Sequence, residues 1–203
     1  LRPPGSFSDG QLRAARRTKR HLVGTEGVAE GPDEITLRNL LSASDVSIRQ
    51  SVVQLQFVAL SAHRQGTAAL GDGERLDVER LRERAEEADR LAEMVARHFG
   101  RSLISLEEVD RLGVSRLRLF DYHAAARELA RLADLGVSIG RAAAGLSEPL
   151  SDAIADDLGG TADAARGVVD DAATAVLERA SVDAAMDVLH RHDEAVAAVD
   201  ALD

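Results

Sequence analysis

The chain has 203 residues, 45% hydrophobic and 30% charged, a globular balance that suits one large domain or two small ones. It has no cysteine, which excludes disulfides and thiolate metal sites. Its formal net charge of -10 makes the whole chain a poor non-specific binder of nucleic acid, because phosphates are repelled. No apolar run reaches the roughly 18 residues that a membrane span needs, and the opening "LRPPGSFSDG" is not a secretory signal, so a cytoplasmic protein is expected.

Residues 1–43 differ in character from the rest of the chain. The chain opens on Leu1 rather than Met and reads as a fragment of a longer protein. "DGQLRAARRTKRHLVG" predicts a short helix ending at Gly24, and "TEGVAEGPDEITLRNLL" predicts two short extended runs around a Gly31-Pro32-Asp33 turn. The helix concentrates Arg13, Arg16, Arg17, Lys19 and Arg20. They are either a solvated face or linker, or candidate DNA contacts.

From residue 44 the pattern is helical. A first helix starts at the capping residues Ser44 or Asp45, carries Ile48, Val52, Leu55, Val58 and Ala59 on one wide face, and ends at Gly71-Asp72-Gly73. A second, from about Asp77 to Phe99, sets Val78, Leu81, Ala85, Ala88, Ala92, Val95 and Phe99 in three-four alternation, the pattern of a bundle seam, and Gly100 closes it. A third spans about Leu106 to Ala144 with a bend at Gly113. A fourth opens at Pro149 and Ser151 and reaches Arg179 unless Gly159-Gly160 breaks it, and a fifth covers about Ser181 to Leu202. Three-helix packing therefore occupies 44–146, and 147–203 supplies two helices more.

Those two helices echo the first two. With residue 66 set on residue 173, Thr67 meets Thr174, Leu70 meets Leu177, Arg84 meets Arg191 and Glu87 meets Glu194. The second-helix seam maps onto Ala185, Val188, His192, Ala195, Val199 and Leu202. This second copy lacks a third helix, so its seam must either pack on the first copy or recruit another chain.

The run "RELARLADLGVSIGRAA" (127–143) keeps Glu128 and Asp134 close to its apolar stripe and holds Gly136 and Gly140 where a helix prefers alanine. Together with "RAEEAD" (84–89) and "RHDEA" (191–195) on the second helix of each copy, it resembles the PhoU family of phosphate-uptake regulators over residues 44 to 203. The resemblance implies an all-α, PhoU-like antiparallel bundle of three-helix repeats, the second incomplete. Residues 22–52 also look like the connector that joins an AbrB-like DNA-binding module to PhoU repeats in archaeal relatives. Such a module would precede Leu1.

The third helix in that family bears a Glu-x-x-x-Asp pair which, with neighbouring carboxylates, holds iron or zinc. Here Asp134 occupies the Asp position and Ala130 the Glu position, while Glu128 is rotated by about 200° from where the motif places it. Half the motif remains, so Asp134 is expected to bind metal weakly or else to pair with an arginine, and Gly136 and Gly140 are read as small residues that allow close helix approach. A rival cation site is Asp183, Asp187, His190 and Glu194, which share one face of the fifth helix; the alternative there is plain solvated surface. His192 falls on the seam, and His21, His63, His98 and His123 show no ligand spacing.

Enzyme templates are absent: there is no nucleophile elbow, no glycine-rich phosphate cradle and no H-E-x-x-H. A non-enzymatic regulator is expected, acting by contact with a phosphate transporter or a sensor kinase as the resemblance implies, and forming a homodimer. The alternatives are a transcriptional regulator linked to DNA through a module upstream of Leu1, and a metal-binding helical bundle.

Overall fold

The computed structural model describes residues 6–8, 10–13, 25–30, 35–39, 47–71 and 76–201. Residues 10–13 form one helical turn. The Ser8 hydroxyl accepts from the Gln11 amide at 3.3 Å while the Gln11 side chain accepts from the Ser8 amide at 2.9 Å, a reciprocal cap. Strand β1 (Thr25–Glu30) pairs antiparallel with β2 (Ile35–Asn39), Glu26 opposite Arg38, with an irregularity between Gly27 and Ala29. The two extended runs are thus a hairpin, and the Gly31-Pro32-Asp33 turn lies outside the described residues.

The helices come in order as α1 (Ile48–Ala68), α2 (Val78–Ile104), α3 (Leu106–Leu112), α4 (Arg116–Ala144), α5 (Asp152–Glu178) and α6 (Val182–Asp200). Their starts are set by hydroxyls and carboxylates that receive otherwise unpaired amides: Ser47 takes Gln50, Asp77 takes Arg80, Ser105 takes Glu108, Ser115 takes Arg118 and Ser181 takes Ala184. The cap of α1 is therefore Ser47 rather than Ser44 or Asp45, because it immediately precedes the first buried side chain, Ile48.

Three glycine expectations resolve differently. Gly100 does not close α2, which runs on to Ile104. A Cβ there would meet nothing within 4 Å, and buried His98 and Ser102 keep the helix engaged on either side. Gly159-Gly160 leaves α5 unbroken. Gly113 does end its helix: at φ 62 it is left-handed, its amide bonds back to Val109 and Asp110, and the expected single third helix is instead α3 plus α4.

Helices α1, α2 and α4 pack on one another and enclose the core. Leu55, Ala59 and Ala62 of α1, Leu81, Ala88 and Val95 of α2, and Leu119, Ala126 and Ala133 of α4 are fully buried. The closest approach is glycine on glycine. A Cβ on Gly66 would overlap the Gly136 backbone, one on Gly136 would sit 2.6 Å from the Ala62 carbonyl oxygen, and one on Gly140 would press to 3.0 Å from Leu81. Both α4 glycines are there for that contact, as small residues at a helix crossing should be.

Beyond this trio the packing thins. Helix α5 lies chiefly on α1, and α6 chiefly on α5. No residue of α6 is buried. The positions half-buried along it are Ala184, Val188 and Ala195, whereas Ala185, His192 and Val199 of the expected seam are exposed and Leu202 lies outside the described residues. The contact face is rotated because α6 rests on a single neighbour, and alanines allow the closest seat on it.

Candidate functional site

On the outer side of the α2/α4 seam the helices part into an open groove of about 280 Å³. Asp89 and Glu93, one turn apart on α2, form one wall. His123, Arg127, Arg131 and Asp134 line the α4 side. Ala92, Ala96 and Ala130 lie between these walls, and their small side chains leave the hollow open. The i, i+4, i+7, i+8, i+11 spacing of His123, Arg127, Ala130, Arg131 and Asp134 puts all five on one helical face. His123 is held by stacking on Phe99, ring centroids 5.1 Å apart.

Asp134 therefore borders the groove together with Ala130, the position where the PhoU motif would carry Glu. Glu128 does not border it. It is exposed and takes Arg131 at 3.1 Å and Arg127 at 3.0 Å, so the structure does not bring Glu128 and Asp134 together. The side chains in place to meet a cation are Asp89, Glu93, His123 and Asp134, with two guanidinium groups beside them. Among the described residues, no three His, Asp or Glu side chains converge as metal ligands would.

The rival set on α6 stays on one solvent face. Asp183, Asp187, His190 and Glu194 are all exposed, His190 Nε2 lying 3.4 Å from Glu194 Oε1. His192 is exposed too, 3.1 Å from Asp193. Of the basic candidates, Arg13 is exposed at the end of the 10–13 turn; Arg16, Arg17, Lys19 and Arg20 lie outside the described residues.

Three polar arrangements are not foreshadowed by the sequence motifs. Arg166 of α5 is buried against α1, where its guanidinium donates to His63 Nδ1 at 3.2 Å and to Thr67 Oγ1 at 3.4 Å while pairing with Asp163. Burial, reinforced by the charge of Arg166, holds His63 below the usual imidazole value, so the ring is neutral with its proton on Nε2. Gln56 extends the same seam, donating to Asp170 Oδ1 at 2.6 Å and to Thr174 Oγ1 at 3.1 Å.

From α4, buried Arg118 lies over the Tyr122 ring and donates to the Leu177 carbonyl at 2.8 Å, a cation on the C-terminal end of α5. The third arrangement is internal to the bundle: His98 and Glu108 share a buried 2.6 Å hydrogen bond that fastens α3 to α2. One signal in the sequence does point to the first of these. Arg166 is the lone cation in α5, among Asp152, Asp156, Asp157, Asp163, Asp170 and Asp171.

The end of the bundle where α2, α3 and α4 meet is apolar and open. Phe99 touches Phe120 with centroids 5.9 Å apart, and Arg116 Nε donates to the Ser102 carbonyl at 2.7 Å, so the C-terminus of α2 abuts the N-terminus of α4. Around that junction Ile104 is 89% exposed, Leu117 74%, Leu106 67%, Leu103 57% and Phe120 53%. Compared with protein-family models, curated proteins and solved structures, the chain finds no match.

Proposed function

We propose that this chain is a non-enzymatic regulator that acts by protein contact, with the apolar end of the three-helix bundle as its docking face. The observation that carries this reading is that Leu103, Ile104, Leu106, Leu117 and Phe120, at the adjoining ends of α2, α3 and α4, are all exposed to solvent. Large aliphatic and aromatic side chains left wet near one another are costly and mark interaction surfaces. The described helices have none long and apolar enough to cross a membrane, so the partner would bring the membrane component if there is one.

The process is supplied by the resemblance of residues 84–89 and 128–143 to PhoU proteins. The partner is then a phosphate transporter at its cytoplasmic side, or the sensor kinase coupled to it, and the contact damps phosphate uptake when phosphate is plentiful. Deleting the gene in its source cells should leave uptake high in phosphate-rich medium, and supplying the gene again should restore the damping. Uptake unchanged by deletion would refute the assignment.

A further inference from the structure

Helix α3 is fixed to the bundle at one polar point. Of its seven residues only Glu108 is buried. Its carboxylate shares the 2.6 Å hydrogen bond with Nδ1 of His98, itself buried, and lies 4.0 Å from the exposed Arg101 guanidinium. Val109 and Leu112, on the same side of the helix, are only half-buried, while Leu106, Glu107, Asp110 and Arg111 face solvent. The helix packs chiefly on α2. Where α2 and α4 turn inward they bury leucines, Leu81, Leu119 and Leu129 among them. At its one buried position α3 carries a carboxylate instead, whose desolvation is offset only while the bond to His98 is made.

Each end of α3 is a place where the chain can turn. Ser105 is extended, at φ -135 and ψ 120, and serves at once as the C-cap of α2 and the N-cap of α3. Gly113 is left-handed, and a Cβ there would meet nothing within 4 Å. The seven residues between these points are fewer than the roughly 12 to 15 that an isolated helix needs to persist in water, so α3 keeps its shape only while it is seated. Unseating it leaves the core closed. Leu55, Leu81, Val95, Leu119 and Leu129 hold that core without it, and from this stretch only Leu112 and Val114 lean on it, both half-buried.

We infer that α3 is a flap, latched by the bond between Glu108 and His98 and hinged at Ser105 and Gly113, that opens while the rest of the bundle stays folded. Closed, it covers His98 and holds Leu106 as part of the apolar end. Open, it uncovers His98 and withdraws Leu106. The opening is a property of the fold alone; its effect on docking rests on the role proposed above for that end.

Amide exchange on the full chain, corrected for intrinsic rates, tests the flap apart from any partner. Exchange across 106–112 should be at least roughly tenfold faster than across 85–95, as for a unit that opens locally. Glu108→Ala should speed exchange across 106–112 by roughly tenfold more and leave α1 and α4 unchanged, because it removes the latch and nothing else. His98→Leu/Glu108→Leu, an apolar pair in place of the polar one, should slow it below the rate of the unaltered chain. Equal protection of 106–112 and 85–95, loss of protection in α1 and α4 with Glu108→Ala, or an apolar pair that exchanges as fast as Glu108→Ala would each overturn the inference. The effect on docking has its own readout in deletion cells. There Glu108→Ala should damp phosphate uptake less than the apolar pair does, and equal damping by the two would sever the flap from docking. If even the unaltered gene fails to damp uptake, the docking role falls and the exchange result still decides the flap.

Discussion

Gly136 and Gly160 sit in similar alanine-rich helices and have opposite meanings. At Gly136 a methyl group would strike the Ala62 carbonyl, and at Gly66 it would strike Gly136 itself; at Gly159 and Gly160 it would meet open space. Gly136→Ala is therefore expected to destabilise the protein by about 3 kcal/mol, as overpacking of backbone against backbone does. Gly160→Ala should stabilise it by about 1 kcal/mol through helix propensity alone. Denaturant midpoints of the two variants measure both, and a destabilised Gly160→Ala would mean that α5 is not the continuous helix described. From sequence the α4 pair reads as a place of close helix approach and the α5 pair as a candidate break; what the local run does not give is the partner at the crossing, Gly66 of α1. His63 is illegible for the same reason. Its partner Arg166 is remote in the chain and meets it only once α5 lies on α1. Because burial and Arg166 lower its proton affinity, His63 is neutral while α5 is docked and protonates more readily once α5 is released. Docking of α5 should accordingly weaken as pH falls below about 6.5, the ordinary imidazole value. Arg166 adds to the cost of a second cation there; Arg166 is itself buried and crowded by Arg64, and its pairing with Asp163 offsets part of that. Amide exchange in α5 followed between pH 7 and pH 5, after correction for intrinsic exchange, should show that trend, and His63→Gln should abolish it.

At the scale of elements, the long helices are legible in the sequence and their ends are not. The core face of α1 (Ile48, Val52, Leu55, Val58, Ala59) comes from periodicity alone, and so does the α2 seam through Leu81, Ala85, Ala88 and Val95, because these helices bury a wide stripe between two neighbours. The same rule misplaces the face of α6, which has one neighbour and so no obligation to turn its seam inward. Within the groove, the sequence places Asp134 and Ala130 but cannot supply Asp89 and Glu93, which come from another helix. The arm formed by α5 and α6 is fastened to the bundle by Gln56, His63, Thr67 and Arg118 as much as by Ala173 and Leu177. Polar fastening gives little net stability per bond, about 1 kcal/mol each. Amide exchange should thus be faster across 182–200 than across 78–104. Equal protection there would show that two helices suffice without a third. Removing Arg118, which caps the C-terminus of α5, should raise exchange in α5 and α6 and leave α2 unchanged.

For the whole molecule, the structure supports a division: a close-packed trio of α1, α2 and α4 carrying an apolar end, and an arm of α5 and α6 whose outer face is exposed. The bundle class comes from composition and periodicity. The incomplete second repeat and the regulatory role rest on short motifs in alanine-rich helices, where close packing constrains residue size more than residue identity. As proposed, the protein works through its apolar end rather than through an ion held in the α2/α4 groove. Phosphate uptake in deletion cells separates the two when they are complemented with Ile104→Glu/Leu117→Glu or with Asp89→Asn/Asp134→Asn, each first checked for an unchanged fold and level. Docking through the apolar end predicts that the end-face variant leaves uptake as high as the deletion does, while the groove variant restores damping. Damping by the end-face variant together with failure of the groove variant would contradict it.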